Sequence, residues 1–131
     1  MKQGVQVVFL ENNKILLLKR KNTGYFDDYY GLPGGKVELH ENTIECAIRE
    51  TREEVGLMIQ ESEHLFSLEK DAWTHSYFIA KKWLGEATNC ELTKCSEIRW
   101  CEIDSLSENI TPHVQIVVSY LLQDNINIFL E

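Results

Sequence analysis

The sequence predicts an α/β (α+β) fold, and three observations carry that reading. Short runs of β-branched and apolar residues recur near the start and through the middle of the chain. A capped amphipathic helix separates them, and a second apolar helix closes the sequence. Runs of four to eight such residues suit strands, and apolar spacing of three and four suits helices.

Val5 to Leu10 and Ile15 to Leu18 read as two strands, separated by Glu11-Asn12-Asn13-Lys14. Asn tolerates the positive φ of a tight turn, so a β-hairpin is predicted. Lys19 to Lys21 ends it with positive charge. Residues 22 to 31 form a loop holding Tyr25, Phe26, Tyr29 and Tyr30. Such rings either pack beneath the loop or offer a flat face to a ligand. Leu32-Pro33-Gly34-Gly35 then shapes the backbone sharply, because Pro fixes φ and Gly opens conformations closed to other residues.

Asn42 is a good N-cap, and Glu45 three residues on completes a capping box. Ile44, Ile48, Thr51 and Val55 make one helical stripe facing a core, and Gly56 stops the helix. His64 to Leu68 and Trp73 to Trp83 read as paired strands joined through Glu69-Lys70-Asp71-Ala72. Residues 85 to 96 are a polar loop, Ile98 to Cys101 a short strand, and Asp104-Ser105-Leu106 a brief helical turn. Thr111 or Pro112 opens the last helix, whose buried side is Val114, Val117, Val118, Leu121 and Leu122.

The length of 131 residues suits one domain with one core. A net charge of -8 argues against a general nucleic-acid binder, which needs clustered Lys and Arg. A small phosphorylated substrate remains open, since divalent cations invert the sign of an acidic site. No apolar run reaches the roughly 20 residues of a membrane span. Met1-Lys2-Gln3-Gly4 leads directly into a strand without the apolar core of a secretory signal. The expectation is a cytoplasmic protein. Cys46, Cys90, Cys95 and Cys101 show no C-x-x-C spacing and read as reduced thiols.

Glu50, Glu53 and Glu54 stand at i, i+3 and i+4 on the predicted helix. At about 100° per residue they share one arc, opposite the apolar stripe. Like charges at this spacing repel unless a cation sits among them, and clustered hard oxygens suit Mg2+ or Mn2+. A solvated acidic face is the alternative reading of the trio alone.

The wider pattern GKVELHENTIECAIRETREEVGL over residues 35–57 resembles the Nudix box, G-x5-E-x7-R-E-U-x-E-E-x-G-U, where U is a bulky aliphatic residue. Gly35, Glu41, Arg49, Glu50, Glu53, Glu54, Gly56 and Leu57 fall in register. Thr51 departs at the first U position, where its β-branched shape stands in for Val. The order of the remaining elements is also similar to that family. The resemblance implies an α/β/α sandwich with a mixed β-sheet between helices, and a single Nudix hydrolase domain over residues 1–131.

It further implies that Glu50, Glu53 and Glu54 hold Mg2+ or Mn2+ with a backbone carbonyl of Gly34. Arg49 would orient a glutamate, with Glu41 in the same network, and water would attack a phosphorus of a diphosphate linkage. Glu53 is the favoured general base. Glu97 is a candidate further metal ligand and Glu91 its alternative, each otherwise a solvated surface acid. Arg20 either contacts phosphate or forms a surface salt bridge. Tyr25, Leu32, Gly34, Gly35 and His113 are candidate substrate contacts, with Phe26, Tyr29 and Tyr30 as further rings.

Residues 58 to 111 contain no Pro. By the same resemblance this moves weight from ADP-ribose and NADH toward a (d)NTP, an oxidised one such as 8-oxo-dGTP included. Products would be the monophosphate and pyrophosphate. ADP-ribose, a sugar nucleotide or a dinucleotide polyphosphate is the alternative substrate, and a non-catalytic nucleotide-binding module the alternative class. The expected partner is this small nucleotide, with neither nucleic acid nor membrane, and the chain is a monomer or homodimer.

Overall fold

The computed structural model describes residues 2–130, with side chains to residue 123. In chain order the elements are β1 (Lys2–Val8), β2 (Leu10–Glu11), β3 (Lys14–Arg20), β4 (Tyr30–Gly31), β5 (Gly34–Lys36), α1 (Thr43–Val55), β6 (Met58–Lys70), β7 (Trp73–Leu84), β8 (Cys95–Glu102) and α2 (Pro112–Leu130). One sheet has the order β5-β1-β7-β6. It is mixed, because β1 runs antiparallel to β5 and parallel to β7. The other sheet is antiparallel, with β2, β4 and β8 all paired to β3.

Alternation along the strands places two cores on opposite faces. Val5, Val7, Leu16, Leu18, Phe78 and Ala80 pack with Cys46, Ala47 and Val55 of α1. Val8, Ile15, Leu17, Tyr77 and Ile79 pack with Val114, Val117, Val118 and Leu121 of α2. The fold is therefore the expected α/β/α sandwich. Fully burying one such side chain contributes about 1.5–3 kcal/mol. Exposed ion pairs such as Lys81–Glu63 and Lys82–Glu61, both 3.5 Å, contribute about 0–1 kcal/mol. The two apolar layers thus decide the fold. No helix among the described residues is long and apolar enough to cross a membrane.

The predicted hairpin forms only at its tip. Asn12 and Asn13 adopt φ of 53° and 64°, and only Leu10↔Ile15 and Glu11↔Lys14 pair. Val5 to Val8 instead join the other sheet, between β5 and β7. An interior place satisfies both edges of a strand that is buried on both faces. Asp71 and Ala72, at φ 53° and 66°, make the tight turn from β6 to β7. Both β6 and β8 are longer than predicted. Asp104 to Leu106 is a turn, closed by Ser105 N–H to the Glu102 carbonyl at 3.2 Å, and contains no helix.

Asn42 and Glu45 cap α1 reciprocally, and Gly56 ends it in the left-handed conformation. Its buried residues are Cys46, Ala47, Thr51 and Val55, with Ile44 packed alongside. Ile48 is exposed, so the stripe is rotated toward Ala47. Buried Thr51 is satisfied, its hydroxyl donating to the Ala47 carbonyl at 2.8 Å. On α2, Leu122 is also exposed, since the stripe of 114, 117, 118 and 121 already faces the sheet.

Asn42→Ala removes the bond from Glu45 N–H to Asn42 Oδ1, 2.8 Å long. The expected cost is about 1 kcal/mol, read as a lower urea midpoint with an unchanged slope.

Candidate active site

The site is built where β5 lies against α1. A Cβ on Gly34 would stand 2.1 Å from the Val5 carbonyl oxygen, and one on Gly35 would stand 2.5 Å from Cδ of Glu50. At Gly34 the conflict is with backbone, so only glycine fits there; at Gly35 the end of the Glu50 side chain would have to move aside. It brings the Gly34 N–H to Oε1 of Glu54 at 2.9 Å.

Arg49 organises the remaining carboxylates. Its Nε and Nη2 donate to the two oxygens of Glu41 at 2.7 and 3.0 Å. Its Nη1 donates to Glu50 at 2.8 Å and to Glu53 at 3.3 Å, and Nη2 also reaches the Lys36 carbonyl at 3.2 Å. Bidentate guanidinium bonds of this kind fix orientation as well as charge. They hold the Glu41 carboxyl down at about 2.

Glu54 and Glu50 move the other way. Burial pushes Glu54 well above the usual carboxylate range; the Gly34 N–H opposes this, and the charges of Glu50 and Glu91 add to it. Burial raises Glu50 too, against Arg49, with Glu53 and Glu91 adding. Among the described residues no three acidic, His or Cys side chains already converge on one point. Arg49 draws one oxygen each of Glu50 and Glu53 to itself, and Gly34 holds one of Glu54. The donor set is nevertheless hard oxygen, crowded and half-buried, which fits a divalent cation such as Mg2+.

These carboxylates open onto a cleft of about 540 Å³, whose lining includes Arg20, Leu32, Gly34, Arg49, Glu50, Glu53, Glu54 and Glu91. A smaller cavity of about 220 Å³ shares Arg20, Leu32, Gly34 and Glu54 and adds Tyr25, Gly35 and His113. A third, about 450 Å³ and largely aromatic, shares Tyr25 and His113 and adds Trp73, His75 and Tyr77. The candidate residues therefore line one continuous path from carboxylates to aromatic rings. Arg20 stands at its centre, its Nε donating to the Tyr25 carbonyl at 2.7 Å.

Glu97 lies outside the residues that line the cleft. It pairs with Lys19, one residue off the register of Leu18 and Arg20 that line the cleft. The register shift between Lys19 and Arg20 sets it on the opposite face from Cys95, which lines the cleft only two residues earlier. There it accepts from the Tyr30 hydroxyl and meets Arg99 at 3.2 Å. Glu91 is the acid that reaches the cleft. Tyr30 is buried in the α2-side core. Phe26 and Tyr29 are exposed and pair edge-on with one another, outside these cavities.

The sequence profile of the NUDIX domain matches residues 1–121. This chain belongs to the NUDIX family. An 8-oxo-dGTP diphosphatase from Buchnera aphidicola (subsp. Acyrthosiphon pisum) is 30% identical over 123 residues, covering 89% of this chain and 94% of that protein. An ADP-ribose pyrophosphatase from Methanocaldococcus jannaschii is 46% identical over 55 residues, covering 42% of this chain but only 32% of that protein. The crystal structure of a MutT NUDIX hydrolase from Burkholderia pseudomallei superposes with a TM-score of 0.84 at 27% identity, over 90% of this chain and 95% of that one.

The NUDIX box signalled the carboxylate end of the path. It gave no sign of Glu38, Asn22, Thr23 and Lys94, which also line the cleft. Trp73, His75 and Tyr77 were legible in principle, since alternate residues of one strand share a face.

Two outcomes follow from this geometry. In Gly35→Ala the new Cβ displaces Glu50, so turnover falls about tenfold or more, with a smaller change in the urea midpoint. Glu41→Gln loses a stabilising pair whose carboxyl is depressed from 4.5 to about 2. Its contribution is whole above pH 4.5 and lost as pH falls toward 2. The gap in urea midpoint between parent and variant should therefore close over that window.

Proposed function

We propose that this NUDIX chain, acting as one domain over residues 1–131, is a cytoplasmic hydrolase of a nucleoside triphosphate. The products are the monophosphate and pyrophosphate. The observation that carries this reading is the continuous path from Glu50, Glu53 and Glu54, past Arg20, to an aromatic cavity. A nucleotide has the same order of parts: phosphates, then sugar, then base. The Buchnera relative, matched over nearly its whole length, supports the triphosphate.

Glu50, Glu53 and Glu54 would hold Mg2+ or Mn2+, with the Gly34 carbonyl beside them and Glu91 across the cleft. Such a cation, when bound, polarises phosphoryl oxygens and neutralises the leaving group. Arg49 orients Glu50 and Glu53 and is itself held by Glu41. Glu53, the most exposed of the trio at 47%, takes the proton of the attacking water. Arg20 bears on the phosphate chain, and Leu32, Gly34 and Gly35 set the floor beneath it. Tyr25 and His113 border the sugar and base.

A second reading, ADP-ribose hydrolysis, is favoured by the short but closer match to the archaeal pyrophosphatase. A panel of canonical and oxidised (d)NTPs, ADP-ribose, dinucleotide polyphosphates and sugar nucleotides separates the two. The expected result is Mg2+-dependent pyrophosphate release from a triphosphate, abolished by EDTA and restored by Mg2+. Glu53→Gln and Glu54→Gln should each lower kcat by about 100-fold or more, with the far-UV spectrum unchanged. Parent-like turnover in either variant sinks the mechanism. A nucleotide bound but never cleaved would make the chain a binding module instead.

A further inference from the structure

Two imidazoles line the aromatic cavity: His75 on β7 and His113 in the first turn of α2. Their ring centroids lie 4.5 Å apart in an edge-on arrangement. Trp73 stacks on His75 at 5.8 Å and 11°. His113 also lines the smaller cavity that leads back to Glu54.

In each ring the surroundings of Nδ1 serve to assign the tautomer. His75 Nδ1 is buried without a hydrogen-bond partner among the described residues. It lies against Gly4, where a Cβ would be only 3.1 Å away. An orphaned N–H is rarer in protein interiors than an orphaned acceptor. Nδ1 of His75 therefore carries the lone pair and Nε2 the hydrogen. His113 Nδ1 lies 2.6 Å from the hydroxyl of Tyr77. Tyr77 is 1% exposed, and a buried phenol donates its proton to an available acceptor. We assign the Tyr77 hydroxyl as the donor to His113 Nδ1, an assignment that leaves the hydrogen on Nε2 here too. Burial disfavours the charged form of both rings: it lowers His75, and burial first, then repulsion of a second positive charge by a protonated His75, Arg20 and Lys70, lowers His113 to about 4.

We propose that His75 and His113 are specificity-determining residues, whose two Nε2–H groups select a base edge bearing two neighbouring acceptors. The inference rests on the nucleotide reading above. Guanine offers O6 and N7, whereas adenine replaces one acceptor with an amino donor. Cytosine offers O2 and N3. Thymine carries an N–H between its carbonyls, and 8-oxoguanine carries an N–H at N7, so each meets a donor with a donor. A buried donor facing a donor leaves both unpaired, which is strongly disfavoured. This chain should therefore prefer undamaged guanine and cytosine nucleotides to 8-oxoguanine, adenine and thymine ones.

The test separates binding from turnover. Metal-free protein in EDTA is titrated with dGMP, dCMP, dAMP, dTMP and 8-oxo-dGMP, followed by NMR shifts to millimolar Kd. The expected result is that dGMP, dCMP or both bind about tenfold or more tighter than the other three. His113→Phe and His75→Phe, each keeping a flat ring, should reduce that ratio to about twofold. His113→Asn, which retains an N–H donor, should keep part of it. Equal binding of all five, tightest binding of 8-oxo-dGMP, or no binding of any overturns the inference, whatever the variants do. If triphosphates are hydrolysed without base preference, the inference fails and the proposed function stands. If monophosphates bind with the stated preference but nothing is hydrolysed, the function fails and the base selection stands.

Discussion

The contact between the Gly34-Gly35 backbone and the outer side of α1 sets everything else at the site. The β5 strand lies this close because neither residue has a side chain: a Cβ on Gly34 would strike the Val5 backbone, and one on Gly35 would push the Glu50 carboxylate away. The approach roofs over Cys46, Glu50 and Glu54 and removes them partly from water. A carboxylate face that would otherwise be solvated becomes half-buried, with a backbone N–H supplied to Glu54. Strand order maintains the approach, since β5 is held by β1, and β1 by β7.

Once those acids are enclosed, their charges dominate. Arg49 meets four glutamates, Glu38 only at 3.8 Å, and secures Glu41 most firmly, through two short bonds. What it gives to Glu50 and Glu53 leaves Glu54 with one N–H and an excess of negative neighbours. Low dielectric strengthens this repulsion relative to water. A hard cation held among these oxygens would relieve it, as the proposed function requires. Arg20, across the cleft, is the complementary positive wall. Charge is thus graded along the path, from carboxylates through Arg20 to neutral imidazoles and indole.

The α1 region was legible because its signals are local. Asn42, Glu45 and Gly56 mark the helix ends through bonds spanning only a few residues, and the spacing of Glu50, Glu53 and Glu54 follows from the helix repeat. Elsewhere local signals were incomplete. Val5 to Leu10 read as one hairpin strand because nothing in its composition says that it crosses between sheets near Phe9. Ile48 and Leu122 are as apolar as their buried neighbours, and helical spacing permits them in the stripe. The sheet facing each helix selected Ala47 and Leu121 instead. Glu97 and Glu91 were indistinguishable as acids near one loop. The register of β8 on β3 separated them.

From the sequence by itself came the family's box, the capped helix with its three glutamates and the two-helix, multi-strand plan. These depend on periodicity and on fixed spacing within one segment. Tertiary structure alone decided that β1 joins the mixed sheet, that Glu91 rather than Glu97 faces the cleft, and that His75 meets His113. Those outcomes depend on pairing between strands and helices far apart in the chain. A shift of one residue in such pairing sends a side chain to the opposite face, and no local signal in this sequence fixes that register.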